Sequence, residues 1–355
     1  MISNIDYKHK IDHPALDSRK DFSYEKACFG KFKVDFANVQ ATFAIFVFCS
    51  FATIVSLVSS PPKLLFEKAA FEMPAHIQVE SSEELMEKLK ELNLWEIDDD
   101  SLVPPVLFTG FPDNIHELDI DLKKKAFFHT LLPVALVALS EVEKEKKRFN
   151  QILNKYNPDN LELVFNDDYA SWGRGLTIDE INFIIELTRK YRTNIAAELI
   201  NRIDLVPLSL IMAQAALESS WGASRFAQLG NNLFGIWTWG AHGIIPSGRD
   251  DGKRHKVAAY DSILDSVRAY IVMLNRLPAY RNFRRIRQLT MDSKELAEGL
   301  LYYSEKREEY VWEIRNVITQ NKLREYDNMI LNTMPVKEGL WLKFTSLFRG
   351  DHAFL

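Results

Sequence analysis

One stretch of this chain can fold in few ways. Residues 126–139, AFFHTLLPVALVAL, form the middle of a helical pattern that runs from about residue 119 to 156. Apolar side chains lie on nearly every side of that helix, so other elements must cover it all round. The run is too short for a membrane span, which needs about 20 residues. We predict a central buried helix kinked at Pro133, with a charged, solvated end at 140–153 and with His129 as a core histidine.

Helical patterns fill most of the remaining chain beyond residue 80. Ser81 with Glu84, and Thr177 with Glu180, have the spacing of capping boxes that open helices. Between residues 231 and 260 the pattern changes to Gly, Pro and short β-like runs, which predicts a loop or small hairpin. Further helices are predicted at 195–203, 208–219, 263–276, 294–303 and 308–320. The chain is therefore expected to be mainly α.

The uncharged segment 38–60, NVQATFAIFVFCSFATIVSLVSS, is long enough to span a bilayer. It begins too far from the N-terminus for a cleavable signal peptide. Lysines precede it at positions 26, 31 and 33, a weak bias that favours a cytosolic N-terminus and a body outside the membrane. We predict a single-pass anchor. Cys28 and Cys49 both precede that body, which excludes a cysteine nucleophile or thiolate metal site there.

Charge and motif content exclude several function classes. The chain has 44 basic and 49 acidic residues, a net charge of -5 and no basic stripe, which argues against a nucleic-acid partner. Its eight histidines are scattered, without metal-ligand spacing. No phosphate-cradling glycine loop or Gly-x-Ser-x-Gly elbow occurs. We expect no metal and no cofactor.

The candidate that remains for chemistry is Glu218, in the stretch AALESSWG. Ile211, Ala215 and Glu218 recur at i, i+4 and i+7, so they share one face of the predicted helix 208–219. Desolvation and the negative helix end both disfavour a carboxylate there, so we expect a raised pKa. A general acid that works near neutral pH needs such a pKa. The residues leave a second interpretation open, a surface glutamate paired with Arg225.

The surroundings of Glu218 resemble the glucosaminidase domain of bacterial peptidoglycan hydrolases. The family pattern Ala-Gln-Ala-x-x-Glu-Ser-x-Trp-Gly-x-Ser, followed by Asn-Asn-Leu-Phe-Gly-Ile, is present at every position in AQAALESSWGASRFAQLGNNLFGI. The run AAYDSILDS is similar to the family's Tyr-x-Ser-x-x-x-Ser helix start at Tyr260. Upstream, FFHTLLPVAL and LTIDEINFIIELTRKY are similar to the Bax-type branch of this family. The resemblance covers roughly residues 104–326.

This resemblance implies a lysozyme-like α+β domain, mainly helical with a small hairpin lobe, that hydrolyses β-1,4 bonds after N-acetylglucosamine in peptidoglycan. Glu218 is then the general acid that protonates the departing sugar oxygen, as a glycosidase requires. The predicted anchor places this domain on the periplasmic or wall side of the inner (cytoplasmic) membrane. The expected divisions are a cytosolic segment 1–37, the anchor 38–60, a helical region and joint 61–175, the catalytic domain 176–327 and a tail 328–355.

The sugar-binding side chains are expected on and after the same helix. Aromatic rings supply flat apolar surfaces for sugars, and asparagines bind acetamido or hydroxyl groups. The candidates are Trp221, Asn231, Asn232, Phe234, Trp237 and Tyr260. The alternative is that the aromatic rings belong to the core and that the asparagine pair makes a turn after Gly230.

A second catalytic group is less well defined. Asp250 and Asp251 lie in the predicted loop lobe, where a second carboxylate can reach the cleft, although Asp-Asp-Gly is also a turn sequence. The resemblance points to Tyr303, but the family's Gly-Tyr-Ala-Thr-Asp-Pro reads YYSEKR here. The role of Tyr303 is therefore open. Two other functions remain alternatives: a lytic transglycosylase that uses the same glutamate, and a non-catalytic wall-binding or scaffold protein.

Overall fold

The computed structural model describes residues 75–97, 102–156, 163–240, 243–247, 249, 252 and 254–332. These residues all belong to one unit, which begins at Ala69. The predicted cytosolic segment 1–37, the anchor 38–60 with both cysteines, and most of the tail lie outside the described residues. Asp250 and Asp251 lie outside them as well. Those assignments, and the predicted division at residue 175, stay predictions.

Helices dominate the described part of the chain, which confirms the mainly α prediction. They are α1 (Ser82–Glu91), α2 (Ile120–Tyr156), α3 (Tyr169–Trp172), α4 (Ile178–Tyr191), α5 (Ala196–Arg202), α6 (Leu208–Ser219), α7 (Arg225–Gly230), α8 (Ile263–Arg276), α9 (Arg281–Arg287), α10 (Ser293–Leu296) and α11 (Glu308–Gln320). The predicted capping box at Thr177 and Glu180 forms. At the first helix only half of it forms: Ser81 accepts the backbone N–H of Glu84, but the Glu84 carboxylate accepts the N–H of Glu80.

The long apolar helix is the centre of the fold, as predicted. Every residue from Ala126 to Ala138 is buried, and α6 and α8 pack against α2. Among the described residues, α2 is the one helix long and apolar enough to cross a membrane, but 78% of its most apolar window is buried inside the protein. The helix continues through Pro133. His129 is a core histidine that hydrogen-bonds Tyr326 at 3.0 Å, and burial lowers its pKa to about 4.

One side of the charged end of α2 is an interface, while Glu143 and Lys147 are exposed, as predicted. Glu145 accepts hydrogen bonds from Lys190 and Tyr191 of α4, both at 2.7 Å. Lys146 pairs with Asp204 at 2.6 Å, and Glu141 pairs with Arg268 of α8 at 2.6 Å. For these paired residues the prediction was wrong, because their partners lie more than 40 residues away in the chain and local periodicity does not reveal them.

Three short strand pairs complete the fold of the described residues. Strand β1 (Ala75–Ile77) pairs in parallel with β3 (Val106–Phe108), and β2 (Leu102–Val103) pairs in parallel with β6 (Ile330–Leu331). Strand β4 (Trp237–Thr238) pairs antiparallel with β5 (Lys256–Val257), and Ile244 forms a further bridge to Val257. The two parallel pairs were not predicted, because strands of two or three residues are too short for an alternating pattern to stand out.

The predicted helix 294–303 is interrupted. Only α10 is α-helical, and a 3-10 segment, Ala297–Leu300, follows it. The reason is a tight crossing with α9: a Cβ at Gly299 would lie 2.3 Å from the Cα of Phe283. The backbones approach as closely as glycine allows.

Two buried arginines of α9 hold this region together. Arg284 donates to the carbonyls of Leu274 and Leu277, at 2.8 and 3.0 Å. Arg287, which is 5% exposed, donates to backbone carbonyls at the end of α5 and just beyond it, and to a side-chain amide of α8. Its acceptors are Asn201, Asp204, Leu205 and Asn275. These bonds satisfy carbonyls that helix ends leave without partners.

We therefore expect Arg287→Met to lower the free energy of unfolding by about 3 kcal/mol, since buried acceptors lose their donor. The matched substitution Arg285→Met, on the exposed side of the same helix, is expected to change it by less than about 0.5 kcal/mol. Chemical denaturation of both variants followed by circular dichroism measures the difference. Equal stability of the two variants would contradict this account of the buried arginine.

Candidate active site

The end of α6 fixes the position of Glu218. Ser220 and Trp221 take left-handed conformations, with φ of 51° and 55°, and Gly222 follows with φ of 80°. Ser219 secures this sharp turn, because its hydroxyl accepts the backbone N–H of Gly222 at 2.8 Å. Glu218 therefore stands on the last turn of a helix that is otherwise almost wholly buried.

Burial raises the pKa of Glu218, and the charge of Glu313 raises it further. A hydrogen bond from Tyr310 and the charge of Lys306 act in the opposite direction. The predicted direction of the pKa shift is confirmed. The alternative pairing with Arg225 is not observed, since that guanidinium lies over the ring of Phe226 at 5.8 Å.

A directed chain of hydrogen bonds leads to the carboxyl group. The hydroxyl of Tyr270 donates to the amide oxygen of Gln214. The amide nitrogen of Gln214, a fully buried side chain, donates to the hydroxyl of Tyr310 at 2.8 Å. Tyr310 in turn binds Glu218. Gln214 and Glu218 are four residues apart on α6, so they lie on one face.

Stacked aromatic rings enclose this chain. Phe234 stacks on Tyr270 with centroids 4.1 Å apart, and Tyr303 stacks on Tyr310 at 5.4 Å. The hydroxyl of Tyr303 donates to the backbone carbonyl of Phe234 at 2.7 Å. Burial raises the pKa of Tyr303 and Tyr310 well above the ordinary value, so both hydroxyls keep their protons. The structure thus brings Tyr303 to the acid, in contact with Tyr310.

Two of the residues expected to bind sugar are buried and have structural roles. Asn232 is 1% exposed. Its amide nitrogen donates to the carbonyls of Ile236 and Ala258, and its oxygen accepts the N–H groups of Phe234 and Ile236. The ring of Phe234 is also 1% exposed. Direct contact of these two side chains with a sugar was therefore predicted wrongly: they shape the loop that passes the acid.

That loop approaches the acid closely at Gly235. A Cβ placed on this glycine would lie 3.3 Å from Oε2 of Glu218, and its φ is +62°. Both the conformation and the small space therefore favour glycine here. The backbone of the loop forms one wall beside the carboxyl group.

The other predicted sugar-binding residues stay accessible. Trp237 is 56% exposed and stacks on His255 at 4.5 Å. Trp221 is half-buried, and Lys124 lies 5.7 Å from the centroid of its ring. Asn231 takes a left-handed conformation after α7, and its side chain donates to the carbonyl of Tyr260 at 3.3 Å. Tyr260 is half-buried, and burial raises its pKa to about 12.

Sequence reasoning missed four residues around Glu218: Gln214, Lys306, Tyr310 and Glu313. Tyr310 and Glu313 lie three residues apart on α11 and so share a face. Glu313 pairs with Lys306 at 2.7 Å. Among the described carboxylates, Glu313 is the one whose charge raises the pKa of Glu218. Gln214 lies within the motif around Glu218, but nothing local in the sequence connects it to Tyr310.

Comparison with known proteins finds similarity in the part of the chain that contains this site. The family model described as Glucosaminidase, mannosyl-glycoprotein endo-beta-N-acetylglucosaminidase, matches residues 193–323. Protein bax of Escherichia coli (strain K12) is 36% identical over 123 residues, which are 34% of this chain and 41% of that protein. Peptidoglycan hydrolase FlgJ of Salmonella typhimurium is 32% identical over 102 residues, which are 25% of this chain and 32% of that protein.

Among solved structures, the peptidoglycan hydrolase from Sphingomonas sp. A1 is 24% identical, with a TM-score of 0.28, over 40% of this chain and 85% of that one. This chain spans less than half the length of either curated relative. The family match includes α6, the loop beside Glu218 and α11. Residues 193–323 thus match a glucosaminidase domain, and this part of the chain is similar to Protein bax and to FlgJ.

Proposed function

We propose that this protein is a peptidoglycan hydrolase of the β-N-acetylglucosaminidase type, with Glu218 as its general acid. The observation that carries the proposal is a carboxyl group of raised pKa, partly removed from water at the end of α6 and bound by Tyr310. A glycosidase needs one such protonated carboxyl beside the bond that it cleaves. The family match and the relatives named as peptidoglycan hydrolases support the same substrate.

In this mechanism, protonated Glu218 donates its proton to the oxygen of the departing sugar while the bond from that oxygen to the anomeric carbon breaks. A water molecule completes the hydrolysis by supplying hydroxide to the anomeric carbon and a proton to the enzyme. Tyr310 orients the acid. Because Gln214 already donates to the Tyr310 oxygen, the Tyr310 proton points to one oxygen of Glu218. The acidic proton then belongs on the other oxygen, toward the substrate.

Glu313 is the described carboxylate that we assign as the second acidic group of the site. Its carboxylate pairs with the ammonium group of Lys306 at 2.7 Å, while burial raises the pKa of Glu218. One protonated and one ionised carboxyl are the pair that glycosidases use. Asp250 and Asp251, outside the described residues, are the competing assignment, and substitution separates them.

The accessible residues around the site supply the sugar contacts in this proposal. They are Trp221, Asn231, Trp237 and Tyr260. The predicted anchor 38–60, outside the described residues, would keep the domain within reach of wall close to the membrane. We accordingly propose a single-pass protein of the inner membrane with its catalytic domain on the wall side.

We expect Glu218→Gln to reduce the release of soluble glycan from isolated cell wall at least about 100-fold, since the amide has no proton to donate. Glu308→Gln, the same change at an exposed position of α11, is the matched control and is expected to keep wild-type activity. Mass analysis of the products tests the reaction type. Products lighter by one water would identify a transglycosylase, and an active Glu218→Gln variant would remove this residue from the mechanism.

We expect the loss of activity in Glu218→Gln not to result from misfolding. The linkage between protonation and folding gives the sign of the change in stability. The folded pKa of Glu218 lies above its ordinary value of 4.5, so the stability that this group contributes is lost as pH rises through the folded pKa. At pH 7 the buried charge is a cost that glutamine lacks. Glu218→Gln is therefore expected to unfold at an equal or higher temperature than the wild type at pH 7. A lower melting temperature would contradict this picture.

Substitutions of Tyr310 and Glu313, the two neighbours of Glu218, are expected to move the alkaline limb of the pH–rate profile in opposite directions. Tyr310→Phe removes a hydrogen bond that lowers the pKa of Glu218, so the limb should move to higher pH. Glu313→Gln removes a negative charge that raises this pKa, so the limb should move to lower pH. The rate as a function of pH for each variant measures both shifts.

The same variants identify the second carboxylate. If Glu313 acts on the reacting water, Glu313→Gln should lower kcat by about 100-fold or more at every pH. Asp250→Asn and Asp251→Asn should then keep most of the activity. The reverse result would be a Glu313→Gln variant that keeps its kcat but has a displaced alkaline limb. Glu313 would then only shift the pKa of Glu218 and would not act on the water.

A further inference from the structure

A second groove lies apart from the Glu218 site. It has a volume of about 530 Å³ and is formed by α3, the end of α4 and the segment that leads into α5. None of the residues that line it belongs to the site described above. We call it the arginine groove, after Arg189 and Arg192 in its wall. Its volume is in the range of about 300–1,000 Å³ that is usual for ligand sites.

The floor of the arginine groove is apolar and well packed. Phe165, Trp172 and Ile184 are 5%, 3% and 1% exposed. The rings of Phe165 and Trp172 meet edge to face at 5.0 Å, and the Trp172 indole N–H donates to the carbonyl of Asn166 at 2.6 Å. Tyr169, 40% exposed, forms the rim. Because the Trp172 ring is almost fully covered, the groove offers little of the open aromatic face on which a sugar stacks.

The wall of the groove carries two cations without partners. Arg189 and Arg192 are exposed, and their side chains make no ion pair or hydrogen bond with any residue in the described ranges. Other cations of α2 and α4 are paired: Lys190 with Glu145 at 2.7 Å, Lys155 with Glu180 at 3.0 Å and Arg148 with Asp179 at 2.5 Å. Asp167, exposed in the same groove, adds a negative charge.

Capping of α4 does not account for the two arginines. Arg202 already donates to the carbonyls of Tyr191 and Arg192 at the end of α4, at 2.7 and 3.1 Å. Arg192 itself takes a left-handed conformation with φ of 53°, which is uncommon for a residue that is not glycine, asparagine or aspartate. Two guanidinium groups thus lie beside an apolar floor without a partner among the described residues.

We propose that the arginine groove binds a short acidic peptide, namely the peptide stem carried by peptidoglycan. The stem's carboxylates bind Arg189 and Arg192, its aliphatic side chains lie on the apolar floor near Tyr169, and an amino group faces Asp167. Arginine binds carboxylates with paired hydrogen bonds, which favours this ligand over a neutral sugar. The inference rests on the proposed function for its choice of substrate, but not on Glu218 for its binding.

The test is direct binding to the full-length protein in detergent, measured by titration calorimetry without turnover. The probes are a synthetic acidic stem peptide without sugar, the peptide-free disaccharide and inorganic phosphate. We expect the stem peptide to bind the wild type and Glu218→Gln alike. The double variant Arg189→Gln/Arg192→Gln should weaken this binding at least about tenfold, since charge-assisted hydrogen bonds are lost. The matched control is Arg281→Gln/Arg285→Gln, which has the same change of charge at exposed positions of α9.

Kinetics give an independent readout. On peptide-bearing glycan the groove variant should have a raised KM and an unchanged kcat, and on glycan stripped of its peptides neither value should change. Absence of stem-peptide binding, equal weakening in the control variant, or phosphate binding as tight as the peptide would overturn the proposal. Calorimetry needs no hydrolysis, so the binding test does not depend on the proposed function. Failure of that function would show separately, as full activity of Glu218→Gln.

Discussion

The rest of the described structure depends on one constraint: the middle of α2, residues 126–138, is apolar on nearly every side and must be covered. Burial of apolar surface is the main favourable term in folding, so helices that cover α2 are held firmly. Two of the covering helices, α6 and α8, carry Gln214, Glu218 and Tyr270. The packing that hides α2 therefore also fixes the polar groups of the site, at the point where α6 ends and its last turn meets the surface.

The site combines a rigid frame with a small number of charges. Phe234 and Asn232 are wholly occupied in holding the loop that passes Glu218, while Trp237 beyond them is exposed. On the other side, α11 supplies Tyr310, and one turn later Glu313 with its partner Lys306. The environment of the Glu218 carboxyl group is thus formed by the loop after α7 and by α11, two elements that lie far apart in the chain.

Local features could be predicted from the sequence, and distant contacts could not. Periodicity and capping signals indicated α2, α6, the Ser81 cap and the Thr177–Glu180 capping box, because each of these is decided within a few residues. The link from Gln214 to Tyr310 joins residues 96 apart in the chain, and that from Tyr303 to Phe234 joins residues 69 apart. The motif marked Phe234 and Asn232 as important without distinguishing a sugar contact from a backbone support, and the structure assigns them to the latter.

The direction of the hydrogen bonds from Tyr270 to Glu218 has a consequence for how Glu218 would regain its proton in the proposed mechanism. Every donor in the chain points toward the acid, and burial keeps Tyr310 from ionising. The network therefore holds the carboxyl in place without conducting a proton through the protein. In the proposed mechanism, a proton given up by Glu218 must return from the open side of the site. The water that completes one cleavage is then also what prepares the acid for the next.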